Sequence, residues 1–314
     1  MVWLPLVVSA LLGAGAPIIS RRLAPKTAAL TLTFAAVVAA SCWVVSLALL
    51  SATVIGQIEL VAGMGRWSPA ALRQHNPVAA TVGLIAVGVL AVLTVAVLVV
   101  AWRRVRALVA AERVIRSHTT YSLLVLADAT PDAYAIGGFT GGRVAVSTGM
   151  LSALDDAERR ALLAHEHAHV TGRHHLLRAV VGLAAAVNPM LFTLPGVVEI
   201  ATERWADEEA ALVVGDRRIV AKALSRAALA TLGQRAPKGT TTRPATQPAF
   251  NSAFHRQAVP SRISALLRPP AVMTRRPLIV VALLLAAAVV ATVGASKDLH
   301  ALFETARLVR GTGG

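Results

Sequence analysis

At 314 residues, 56% hydrophobic and with a mean hydropathy of +0.65, the chain is too apolar for a soluble globule, and its apolar residues gather in runs long enough to cross a bilayer. Its formal net charge of +15 comes without a helix-turn-helix, zinc-finger or aromatic-basic pattern, so direct nucleic-acid binding is not expected. The single cysteine, Cys42, lies within an apolar run, which excludes a disulfide framework and a thiol-based catalyst.

The first apolar run is 2–19. No basic residue precedes it, and Arg21, Arg22 and Lys26 follow, so it reads as a retained helix entering from the outside rather than a cleaved signal peptide. A second run covers 27–50. The loop 51–77 carries only Arg66 and Arg73, whereas the third run, 78–102, is followed at once by Arg103, Arg104, Arg106, Arg113 and Arg116. Positive charge marks the cytoplasmic side, which puts 21–26 and 103–276 inside and both termini outside. The segment 103–276 has 23 Lys and Arg against 13 Asp and Glu, so 10 of the +15 belongs to it. Anionic membrane lipid is the partner that this surplus suits.

Short strands are expected at 122–128 and at Arg143–Ser147, with the pairs Gly137-Gly138 and Gly141-Gly142 turning a hairpin; their spacing fits neither a Rossmann nor a Walker loop. Next, Asp155 can cap a helix and Glu158 can close a capping box, so the run His165-Glu166-His167-Ala168-His169 falls on a helix. Positions i and i+4 share a helical face. His165 and His169 can therefore converge on one metal ion, with Glu166 beside them to take a proton from an activated water. His167 is rotated away from the pair. His174 and His175 come too late to share the face and read as local hydrogen-bonding groups just past the helix.

The stretch Ala179–Val198 is long enough to span, but a single crossing would put Glu203 on the opposite side from His165. Gly182, Asn188-Pro189 and Pro195 interrupt it, so a bent hairpin or two short helices on the membrane face of the domain are expected. A catalytic zinc takes three protein ligands and keeps a fourth position open. The expected third ligand is Glu203, whose partner at i+4, Asp207, would orient a ligand histidine. Glu208 and Glu209 face elsewhere. The stretch 234–257, rich in Pro, Thr, Ala and basic residues, could serve as a lid, a self-cleavage site or a linker, of which a linker is expected. An edge strand beside the site helix could hold an extended peptide, and Val144, Ala145, Val146 and Ser147 are the expected strand. The fourth run is 278–295. About nineteen residues follow it, fewer than the roughly 50 a small domain needs, so no sensor domain is expected there.

At this level the chain resembles the BlaR/MecR-type antirepressor membrane metallopeptidases and, more distantly, the HtpX-like and CAAX-prenyl-type membrane proteases. The resemblance rests on Ala133-Tyr-Ala-Ile-Gly-Gly, Arg143-Val-Ala-Val-Ser-Thr-Gly-Met-Leu, the block His165 to His174, Asn188-Pro189, Glu203-X-X-X-Asp207 and Arg262-Ile263. It implies zinc (Zn2+) on His165, His169 and Glu203, with Glu166 as general base and Asp207 in support. It also implies a cytoplasmic transcriptional repressor as one class of substrate. The more distant resemblance also implies that His255 and Arg262 flank the cleft, although the His-Pro pair that those relatives often carry there is missing here.

The expected protein is a mainly α, multi-pass integral protein of the cell membrane, with four transmembrane helices and a cytoplasmic α+β zincin-like metallopeptidase domain. Its regions are 1–102 (three spans), 103–276 (catalytic) and 277–314 (fourth span and tail). The expected activity is peptide-bond hydrolysis in regulatory proteolysis or membrane-protein turnover, on protein or peptide substrates. The alternative is a catalytically silent signalling scaffold of the same fold. A transporter is disfavoured because the spans carry no intramembrane charge pair.

Overall fold

The computed structural model describes residues 2–117, 123–138, 141–233, 259–269 and 274–312. Helices α1 (Leu4–Arg22), α2 (Pro25–Ile55), α5 (Ala80–Ser117) and α12 (Arg276–Thr312) are each long and apolar enough to cross a membrane. Prolines open α1 and α2, where the missing N–H costs nothing. Two of the four run well past their apolar runs. Helix α5 continues without a break through position 102 to Ser117, and α12 carries the expected tail as helix to Thr312. The C-terminal end of α12 packs on the short helices α3 (Glu59–Gly65) and α4 (Pro69–His75), through the edge-to-face pair Trp67–Phe303 and Arg310 donating to the Ala62 carbonyl at 3.0 Å.

The remaining elements build the domain that holds the motif. Strands β1 (Leu123–Leu126), β2 (Ala133–Gly137) and β3 (Gly142–Ser147) form one sheet in the order β1-β3-β2. Strand β1 is parallel to β3, with Leu123 opposite Val144, and β2 is antiparallel to it, with Ala133 opposite Val146 and Gly137 opposite Gly142. The glycine pairs do close a hairpin, and Gly138 donates to the Gly141 carbonyl at 2.8 Å. One expectation is overturned. The segment Val144–Ser147 is the central strand, with its main-chain groups already paired to β1 on one edge and β2 on the other. The outer strands of the sheet are β1 and β2.

Helix α6 (Thr148–Ala153) leads into α7 (Asp156–Thr171), which begins with the expected reciprocal capping box between Asp155 and Glu158. Glu158 is fully buried, yet two cations from α10 (Arg217–Gly233), Lys222 at 3.0 Å and Arg226 at 2.9 Å, pair with it. They tie the start of α7 to a neighbouring helix.

The ambiguous apolar stretch folds as a helical hairpin: α8 (His174–Val187), a single 3-10 turn at Pro189–Leu191, and α9 (Leu194–Val214). The proline at 189 and the fully buried Asn188, which caps the turn, explain the reversal. The hairpin is wedged into the long helices. Val181, Ala184, Leu191, Leu194 and Val198 share one buried cluster with Leu12 and Ala16 of α1, the alanine-rich face of α2 and Val281 and Leu285 of α12. Small residues on α2, among them Ala35, Ala36, Ala39 and Ala40, let these backbones approach closely. The hairpin thus lies inside the helical bundle, rather than only on the face of the domain. The last element is helix α11, described over 259–266.

Candidate metal centre

The imidazoles of His165 and His169, one turn apart on α7, meet the carboxylate of Glu203, in the second turn after Val198 on α9. One ligand-type atom from each of the three lies within 4.8 Å of the others, so the group could hold a metal ion. Nε2 of His165 is 3.2 Å from Nε2 of His169 and 3.6 Å from Glu203 Oε2, while His169 Nε2 is 3.4 Å from Glu203 Oε1. All three converging atoms are those a metal would use. The opposite nitrogen of each ring is engaged: His165 Nδ1 donates to Asp207 at 3.0 Å, and His169 Nδ1 lies 2.7 Å from Nδ1 of His174. Rings held at Nδ1 with Nε2 turned inward are what a zinc site needs, so the donor set fits the metal.

Two arginines complete the charge balance. Arg262, 5% exposed, reaches Asp207 through Nε (2.8 Å) and Nη2 (2.6 Å) and Glu203 Oε2 through Nη1 (2.8 Å). Its guanidinium is occupied by these two carboxylates, at the base of the site. Arg178 of α8 donates to Glu203 Oε1 at 2.6 Å and to the Thr202 hydroxyl. Burial works against the carboxylates of Glu203 and Asp207, but Arg262 above all holds both below the usual range. Arg262 is in turn held charged, the carboxylates outweighing its burial.

The two ring pairs diverge. Burial opposes a charge on His165, but the hydrogen bonds to Asp207 and Glu203 outweigh it and raise its pKa to about 9. Burial pushes His169 well below its ordinary value, and it takes His174 down to about 3, with Arg178 adding to the effect. Burial raises the Glu166 carboxyl, and the nearby Glu203 adds to the effect against His165. Such a shift brings a carboxylate toward the pH at which it can accept and return a proton.

These groups line one cavity of about 1050 Å³. Its walls include Glu166, the whole of β2 from Ala133 to Gly137, Leu224 and Leu229 of α10, and Arg104 of α5. All of β2 therefore borders the site. Val144, Ala145, Val146 and Ser147 are not among its lining residues, whereas Arg262 is. His167 is exposed. His175 stands ten residues after His165, the spacing of a third histidine ligand in a His-Glu-X-X-His-X-X-Gly-X-X-His run, but its ring lies against Gly137 and bonds to the Gly138 backbone. The group within reach of both His165 and His169 is the Glu203 carboxylate. Sequence reasoning missed two contributors, His174 and Arg178; Gly172 ends α7 and Arg173, in the left-handed region (φ 49°), turns the chain so that His174 comes back to the site.

Residues 98–236 match the family model for peptidase family M48, which supports a metallopeptidase of that family over this segment. Neither a curated protein nor a solved structure matched the chain.

Proposed function

We propose that the chain is a membrane-integrated zinc endopeptidase. The observation that carries this is the convergence of His165 Nε2, His169 Nε2 and the Glu203 carboxylate within 4.8 Å, beside Glu166 in one cavity. His165, His169 and Glu203 hold the zinc, Asp207 orients His165, and Arg178 and Arg262 neutralise the carboxylates. Zinc bound there supplies Lewis-acid polarisation of the scissile carbonyl and acidifies a water. Glu166 takes the proton from the attacking water and returns it to the leaving amine; its raised carboxyl pKa favours that exchange. The substrate strand lies along β2, an outer strand of the sheet whose residues Ala133 to Gly137 border the cavity, in place of the Val144–Ser147 strand that the sequence suggested.

The four long apolar helices and the basic residues after α5 support a multi-pass protein with the domain 103–276 on the cytoplasmic side of the cell membrane. Regions 1–102 and 277–314 are then its membrane parts. The substrates are protein or peptide chains reaching that side, either a cytoplasmic repressor or misfolded membrane proteins. In detergent, the purified chain should contain one zinc and cleave casein. Glu166→Gln should keep the zinc and lose cleavage, and Glu203→Ala should lose both. Full cleavage by Glu166→Gln, or unchanged zinc in Glu203→Ala, would refute the assignment.

A further inference from the structure

A histidine that binds a metal through Nε2 must carry its hydrogen on Nδ1, and that N–H needs an acceptor that fixes the ring plane. For His165 the acceptor is Asp207. For His169 the group in place is the Nδ1 of His174, 2.7 Å away, a neutral imidazole where a carboxylate or carbonyl is the common device. With Nε2 of His169 on a metal, only one arrangement satisfies this contact: His169 donates and His174 accepts. His174 then carries its own hydrogen on Nε2, which is buried and has no hydrogen-bond partner among the described residues. An unpaired buried donor is a cost, and it accompanies a second one in the left-handed backbone of Arg173. Both serve to bring this ring back onto His169.

Its surroundings fix the ring further. His174 is 1% exposed, stands edge-to-face to His169 with centroids 4.8 Å apart, and is tilted over Trp205 at 4.5 Å. At Gly172 any side chain would run into its Nε2 end, so the glycine between the two histidines leaves the space the ring fills. Trp205 stands two residues after Glu203 on α9, so the His174 ring touches both the helix of His169 and the helix of Glu203.

We propose that His174 is a positioning residue: its Nδ1 accepts the Nδ1–H of His169 and so sets the tautomer and ring plane that present His169 Nε2 to the metal. This rests on the zinc reading above. The full chain in detergent is titrated with zinc against a competing chelator, with thermal unfolding recorded in saturating zinc. His174→Phe keeps the ring on Trp205 but removes the acceptor, and it should weaken zinc about 10–100-fold, with the zinc-saturated unfolding temperature near that of the parent protein. His174→Gln, which offers a carbonyl acceptor, should recover most of that affinity. Parental zinc affinity in His174→Phe, while His169→Ala loses zinc, overturns the proposal and leaves the zinc reading standing. No zinc in the parent protein overturns the zinc reading itself. Should the phenylalanine variant not fold, His174→Gln is compared with the similarly sized His174→Met, and equal zinc affinity of those two overturns it.

Discussion

His165 Nδ1 sits 3.0 Å from Asp207 Oδ1, and Arg262 grips the same carboxylate through two nitrogens. The ring is thus held from behind by a carboxylate that is itself held. This chain of contacts explains why two carboxylates at i and i+4 on α9 are both buried: Glu203 faces the metal position, and Asp207 faces the back of a histidine.

Removing the Asp207 carboxylate should therefore weaken zinc without removing a direct ligand. Asp207→Ala is expected to lower zinc affinity about 10–100-fold and to leave Arg262 with Glu203 alone. Asp207→Asn keeps a carbonyl that can accept from His165 and should lose less. Competition titration of the two variants checks this order, and equal losses would contradict it.

Zinc uptake should depend on pH through His165. In the metal-free protein its pKa is raised to about 9, so the ring stays protonated at neutral pH, whereas a ligand must offer a free Nε2 lone pair. Zinc must displace that proton. Affinity should then rise with pH, by up to about tenfold per unit, until His165 deprotonates on its own, and level off above. His169 adds nothing to this slope because burial keeps it neutral already. Calorimetric titrations at neutral pH in two buffers of different ionisation enthalpy should report about one proton released per zinc. An affinity flat across pH 6 to 8 would count against the His165–Asp207–Glu203 arrangement.

The features legible in the sequence are those whose physics is local. The capping box at Asp155 and Glu158, the i, i+4 histidines and the i, i+4 carboxylates need only helical geometry, and the structure places each on a helix. The hairpin at Ala179–Val198 was legible for another reason, because its breakers and the need to bring Glu203 to His165 agree. Features set by distant partners were not. Strand order depends on which edges find neighbours, and nothing local to Val144–Ser147 tells that β1 and β2 pair on either side of it. Arg262 could be placed near the cleft, but its carboxylate partners are 55 and 59 positions away in the chain. His174 was read by helical phase alone, and the left-handed Arg173 breaks that phase.

The hairpin between α8 and α9 yields the last prediction. Its tip reaches about halfway along α1: Asn188, fully buried, donates to the Ser9 hydroxyl at 2.9 Å, and Thr193 donates to the Gly13 carbonyl at 2.6 Å. A side chain on Gly13 would meet the Met190 carbonyl, so the close approach requires glycine there. If α1 spans the bilayer, the hairpin enters it and returns. Reporter groups at Gly172, before α8, and at Gly215, after α9, should then read the same side of the membrane. Opposite sides would carry Glu203 away from His169 and dismantle the metal centre with the hairpin. With Cys42 replaced by serine, cysteines at positions 9 and 188 should cross-link under mild oxidation. Asn188→Leu, which strands the Met190 N–H and leaves the Ser9 hydroxyl only its bond to the Pro5 carbonyl, should cost about 1–3 kcal/mol of stability. Gly13→Leu should cost more and loosen zinc as well, because displacing the hairpin moves α9 and its Glu203; a Gly13→Leu protein with parental stability and zinc affinity would show that the tip does not seat against α1.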